Sequence, residues 1–311
     1  MRTIIDPGKE RRSINFIDNI VYSHVTDLEG QPLELSMSLM VQNGNSEMRL
    51  ADGRDDEVST GRQPLIVWIN GAGWRGYDKN LMAAEMHFLA EAGFAVACIY
   101  YRSSAQGHMP DQFIDCKTAV RFLRAHAEQY GIDPERVGVI GRSAGGHLAA
   151  FMAMNLDGYD VGEWAGFSSK VCAAVDMFGP TDIPYCSKIN FELIKKPDFR
   201  WHRMCETHEG ALLGVTDDNT NEEILAMGAK ASPINYVNDG MCPLAILHGD
   251  QDPLVPLEVS ERLYRKIQEA GLEERTEFYI LKNGGHGTRE FFQPSTKELI
   301  VDFFRKNLTR V

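Results

Sequence analysis

No apolar run in this chain approaches the roughly 18 residues that a helix needs to cross a bilayer. Its first residues, Met1-Arg-Thr-Ile-Ile-Asp6, lack the continuous apolar stretch of a signal peptide. A cytoplasmic protein without a membrane span is therefore expected. Positive charge is also in short supply, with 32 Lys and Arg against 44 Asp and Glu, a net charge of −12. A nucleic-acid binder needs a basic stripe to displace counterions from phosphate, and none is visible. Acidic surfaces are likewise repelled by anionic membranes, so the charge reads as a device for solubility. The six cysteines are scattered, with no Cys-x-x-Cys pair to suggest zinc or a redox dithiol. Cys98 and Cys172 lie in apolar runs, where a thiol packs as a small hydrophobe. Repeats and low-complexity tracts are absent as well.

What remains is the pattern of an α/β enzyme. The 311 residues, 43% hydrophobic, suffice for a large core, and one domain over 1–311 is expected. Leu33 to Val41 alternates at period two, as a half-buried strand would. Asn43 to Arg62 is polar and glycine-rich, and reads as a long exposed connection. From Pro64 to Asn70 the pattern changes to a continuous apolar run, the mark of a strand buried on both faces. Phe94–Tyr100, Val137–Ile140, Val171–Phe178, Leu244–Leu247 and Phe278–Leu281 repeat it. Between them lie helical patterns such as Phe113, Cys116, Val120, Leu123 and Ala127. Gly93, Gly131 and Gly271 stand just past three of these, where a left-handed cap favours glycine. Such alternation predicts a mostly parallel sheet with helices on both faces and an antiparallel edge from the early strands. Residues 182–236 break the rhythm and are expected to form a cap-like insertion over the sheet edge.

The chemistry concentrates at Gly141-Arg142-Ser143-Ala144-Gly145. A short buried strand enters this Gly-x-Ser-x-Gly sequence and a helical pattern leaves it, so the serine hydroxyl should stand at the strand tip. A hydroxyl needs a base, and glycine-flanked His286 follows the end of a strand downstream. An acid should orient that base. The segment His248-Gly-Asp-Gln-Asp252 also follows a buried strand, and Asp252 is preferred to Asp250, which reads as a turn residue. The order Ser, Asp, His is that of α/β-hydrolases. His147 and His248 read as structural. A tetrahedral intermediate requires an oxyanion hole. One donor should be the Ala144 N–H, and the others should lie in the loop Asn70-Gly-Ala-Gly-Trp74. Trp74, Phe178 and Trp201 are candidates to line an aromatic substrate pocket, with core packing as the alternative. Lys195, Lys196, Arg200, His202 and Arg203 form a basic cluster in the insertion. It reads as a solvated face, with a site for an acidic substrate as the alternative.

These motifs together resemble the hormone-sensitive-lipase-like and carbohydrate-esterase-like α/β-hydrolases. The Asn70–Trp74 loop resembles their His-Gly-Gly-Gly-Trp motif. Ser143-Ala-Gly-Gly-His147, Phe178-Gly-Pro-Thr-Asp182 and His248-Gly-Asp-Gln-Asp252 match in kind, so the resemblance runs from about Pro64 to the C-terminus. It implies hydrolysis of short acyl or hydroxycinnamoyl esters, as by bacterial acetyl-xylan and feruloyl esterases, with no cofactor and no metal. It assigns the further oxyanion donors to Ala72 and Gly73. Asn70 and Ala72 depart from the motif at its histidine and middle glycine, which leaves the acyl preference open. The expected partner is a small-molecule ester, with a homodimer as a possible assembly. Two other readings stand beside the esterase: an amidase, arylformamidase or exopeptidase of the same fold, and a binding protein without chemistry. The latter typically loses its base, which here is His286.

Overall fold

The computed structural model describes residues 2–4, 13–42 and 62–308, so most of the connection expected over 43–62 lies outside them. The apolar runs become strands of one sheet: β1 (Ile14–Thr26), β2 (Pro32–Gln42), β3 (Gln63–Ile69), β4 (Ala95–Ile99), β5 (Ile132–Arg142), β6 (Ala173–Met177), β7 (Leu244–Gly249) and β8 (Thr276–Leu281). Their order is β1-β2-β4-β3-β5-β6-β7-β8. The first three neighbours pair antiparallel and the rest are parallel. This is the α/β-hydrolase fold.

Side chains alternate across each strand, so the two faces build separate cores. The helices are α1 (Ala83–Glu91), α2 (Asp111–Ala125), α3 (Ala127–Tyr130), α4 (Ala144–Ala153), α5 (Ile183–Leu193), α6 (His208–Leu213), α7 (Asn221–Lys230), α8 (Glu258–Glu269) and α9 (Pro294–Asn307). Leu65, Val67 and Ile69 of β3 point to one face and bury Phe113 and Val120 of α2, Leu148 of α4 and Leu263 of α8. Ile66 and Trp68 point to the other, against Met86 and Leu89 of α1 and Phe304 of α9. A leucine fully buried in this way contributes about 2 kcal/mol. Truncating such a contact is the change that would break the layer.

The sequence reading and the structure differ at four strands, of which β8, read as buried on both faces, is only half-buried and leaves Ile280 exposed. β1 has a largely exposed edge, and its register with β2 slips twice. β5 starts at Ile132, five residues before the apolar run, because Ile132 and Asp133 already pair with Gln63 and Pro64 before a bulge restores the register. β2 is half-buried only at its start; from Met37 onward Ser38 and Met40 are buried on its second face too.

Residues 182–236 lie between β6 and β7 and carry α5, α6 and α7. Asp182 caps α5 by accepting the Tyr185 N–H at 3.1 Å. Ile183, Met204, Leu212, Ile224 and Ile234 of this span join the core on the α2, α4 and α8 face. Among the described residues no helix is long and apolar enough to cross a membrane.

Candidate active site

The chain reverses between β5 and α4 at Ser143, whose φ of 53° and ψ of −123° are strained for a residue with a Cβ. Glycine on both sides makes the turn possible: a Cβ on Gly141 would collide with the Gly145 carbonyl, and one on Gly145 with the Ile69 carbonyl. The Ser143 N–H donates to Met177 O at 2.8 Å, which ties the elbow to β6.

Two loops from neighbouring strand ends reach this serine. His286, after β8, sets Nε2 2.9 Å from Ser143 Oγ and Nδ1 2.8 Å from Asp252 Oδ2. Asp252, after β7, is held in turn. Its Oδ1 accepts the N–H groups of Leu254 and Val255 at 2.9 and 3.0 Å. Buried His248 stands 3.5 Å from its Oδ2. His248 Nε2 lies 2.9 Å from Val255 O, which can only accept, so that nitrogen carries the proton; Ser260 Oγ, 2.7 Å from Nδ1, then donates. Burial by itself would raise the Asp252 carboxyl. The hydrogen bonds from His248 and His286 outweigh it and hold the group well below the usual carboxylate range. Asp250 points elsewhere: exposed, it accepts the Asn283 N–H at 2.7 Å.

The loop after β3 passes over the serine so closely that a Cβ on Gly71 would lie 2.8 Å from Ser143 Cβ. Asn70 is fully buried and anchors it: Oδ1 accepts from Arg142 Nε at 3.0 Å, and its carbonyl accepts the Tyr101 hydroxyl at 2.9 Å. Gly73 and Trp74 both take left-handed backbone, with φ of 60° and 56°. Among the described residues no acceptor takes up the N–H groups of Ala72, Gly73 or Ala144, and Ala144 is the first residue of α4, where no intrahelical acceptor exists.

The three aromatic candidates separate. Trp74 and Phe178 are each 1% exposed. Trp74 packs edge-on against His147 at 5.1 Å between ring centroids, and Phe178 lies edge-on to His286 at 4.7 Å and to Phe291 at 4.6 Å. They brace the site from within and offer a substrate almost no surface. Trp201 remains partly exposed, edge-on to His208 at 4.8 Å. His147 itself donates from Nε2 to Ala231 O at 2.7 Å, a structural tie between α4 and the end of α7. Burial pulls its imidazole down to about 4, so it is neutral at pH 7.

Two residues at this site carried no local signal in the sequence. His208, from α6, stands where a Cβ on Gly73 would be. Arg75, just past the loop, reaches it with Nε at 3.2 Å. Among the described residues no three His, Cys, Asp or Glu side chains gather so as to hold a metal ion.

A hydroxyl, an imidazole and a carboxylate in one hydrogen-bonded line, at the tips of three parallel strands, define an α/β-hydrolase with a Ser–His–Asp array. Residues 55–267 match the BD-FAE family model, and the chain belongs to that family. It is 27% identical to a carbohydrate esterase from gut microbiota, with a TM-score of 0.74 over 98% of this chain and 99% of that one. Among curated proteins it is 30% identical over 209 residues to the probable carboxylic ester hydrolase LipM of Mycobacterium tuberculosis, covering 66% of this chain and 45% of LipM. Esterase LipQ of the same organism is 28% identical over 233 residues, 73% of this chain and 51% of LipQ. The chain thus spans about half the length of these curated relatives.

Proposed function

We propose that the protein is a serine carboxylesterase acting on short acyl or hydroxycinnamoyl esters through an acyl-enzyme on Ser143. The observation that carries this reading is the continuous line from Ser143 Oγ through both nitrogens of His286 to Asp252. His286 Nε2 takes the Ser143 proton as Oγ attacks the ester carbonyl. The N–H groups of Ala72, Gly73 and Ala144 hold the resulting oxyanion, a kind of stabilisation whose loss of one donor typically costs about a hundredfold or more. His286 then gives its proton to the departing alcohol oxygen. Water, deprotonated by the same nitrogen, attacks the acyl carbon and frees Ser143. Asp252 holds the Nδ1 proton in place and stabilises the imidazolium throughout. The names of the carbohydrate esterase and of the ester-hydrolase relatives support the ester as the substrate class.

Ser143→Ala tests the reading. Hydrolysis of p-nitrophenyl acetate should fall by several orders of magnitude with circular dichroism unchanged, and a fluorophosphonate probe should label the native protein but not the variant. Activity within tenfold of the native protein would overturn the assignment. Aryl formamides and anilides run beside the esters separate it from an amidase.

A further inference from the structure

The basic residues of the insertion do not share one environment. Lys195 pairs with Glu192 at 2.7 Å, and Arg203 pairs with Glu206 at 2.9 Å and Asp217 at 2.8 Å. Arg200, also exposed, makes no such pair among the described residues. Its guanidinium lies 3.7 Å from the centre of the Trp201 ring and sets Nη2 3.0 Å from His208 Nε2. From the opposite side Arg75 sets Nε 3.2 Å from His208 Nδ1, while its Nη2 donates to Glu206 O at 2.8 Å. Neither Arg75 nor Arg200 has a carboxylate partner among the described residues.

Two guanidinium donors therefore face the two nitrogens of one imidazole. A neutral imidazole has one lone pair in its plane, and a protonated one has none. At least one arginine thus meets an N–H instead of an acceptor, and the cluster is short of negatively charged oxygen. Burial, then the charges of Arg75 and Arg200, pull His208 down to about 4, so near pH 7 it is neutral and adds no positive charge to the two guanidiniums. All this sits on Gly73, at the loop that covers Ser143, in a protein whose net charge of −12 would otherwise repel anions.

We propose that Arg75, Arg200 and His208 form an anion-binding subsite beside Ser143, and that the substrate is an ester carrying a carboxylate on its acyl or its alcohol part. The proposal rests on the reading of Ser143 as an esterase nucleophile. The carboxylate would accept from both guanidiniums, with Trp201 holding Arg200 in place by its ring face and His208 fixed on the Gly73 backbone between them.

Two matched pairs of esters test it. One places the charge on the acyl side: the p-nitrophenyl monoester of adipic acid against p-nitrophenyl hexanoate. The other places it on the alcohol side: 4-acetoxybenzoate against 4-acetoxybenzamide. In one pair the anionic member should lead in kcat/KM by about tenfold, the worth of a charge-assisted hydrogen bond, and the leading pair tells which side carries the charge. That ratio should collapse toward one in Arg200→Gln, recover in part in Arg200→Lys, and shrink in the native protein when ionic strength rises from about 0.02 M to about 0.3 M. Should Arg200→Gln not fold, the salt dependence decides. Equal or better rates for the neutral member of both pairs, or a ratio indifferent to salt and to the substitution, overturns the subsite. Neutral esters hydrolysed without any preference for charge sink the subsite alone; no hydrolysis of any ester and no labelling of Ser143 sinks the esterase reading with it.

Discussion

Replacing Asp252 by Asn exchanges one oxygen for an NH2 group and should nearly abolish turnover. The native carboxylate accepts on every side: the N–H groups of Leu254 and Val255 on Oδ1, and His286 Nδ1–H on Oδ2. An amide cannot do this. If its oxygen keeps the two backbone N–H groups, its NH2 faces His286, and the ring must accept there and carry its proton on Nε2. That nitrogen can no longer take the Ser143 proton. If the amide turns over, its NH2 meets two N–H donors instead. In serine proteases the equivalent change costs about ten-thousand-fold in kcat, or about 5 kcal/mol of transition-state stabilisation. The same order is expected here. Asp250→Asn is the control, because exposed Asp250 accepts one backbone N–H from Asn283, which an amide oxygen can also accept. Its kcat should stay within about threefold of the native value, as for surface changes that keep their contacts. The assay is steady-state hydrolysis of p-nitrophenyl acetate, with circular dichroism to verify folding. Asp252→Asn within tenfold of native kcat, or a larger loss in Asp250→Asn, would move the acid to Asp250 and refute the argument.

Further expectations concern chain length and pH. Rates should be higher on p-nitrophenyl acetate and butyrate than on the palmitate, with no jump at the substrate's solubility limit. None of the exposed large hydrophobic residues lies in 182–236, where a lid that meets an oil surface would present them; faster turnover of the palmitate would count against this. Asp176 is fully buried in β6, accepts the Gly179 N–H at 2.8 Å, and burial raises its carboxyl to about 6. A raised carboxyl favours the protonated form in the fold, so its stabilising contribution is complete below the unfolded value near 4 and is lost as pH rises through about 6. Relative to Asp176→Asn, the native protein should therefore gain on the order of 2 kcal/mol in denaturant unfolding between pH 7 and pH 4. A difference that is flat over that range would show that the carboxyl ionises normally.

What could be read in the sequence was local. Ser143 could be read because the glycines its turn demands are its neighbours in the chain, and the Val137–Ile140 run that leads into it and the Leu244–Leu247 run that leads to Asp252 are continuous apolar stretches buried on both faces. The Asn70–Trp74 loop was legible for the same reason. β1 was not, since five residues in succession, Asn15 to Asn19, are exposed, and its register slips. Nor was the start of β5, where Ile132 and polar Asp133 pair with β3 before Pro134-Glu-Arg136 bulges out of register. Aromatic identity alone could not choose between a pocket wall and core packing for Trp74 and Phe178, and the fold buries both. The basic cluster shows the limit most clearly. In the sequence Lys195, Arg200 and Arg203 are three similar charges within nine residues. The fold gives Lys195 and Arg203 carboxylates of their own and leaves Arg200 none, turning it across Trp201 to meet His208 and an arginine more than a hundred positions away. Charge count could not distinguish a paired arginine from an unpaired one; only the fold, which gives Lys195 and Arg203 their carboxylates and leaves Arg200 beside an imidazole, can.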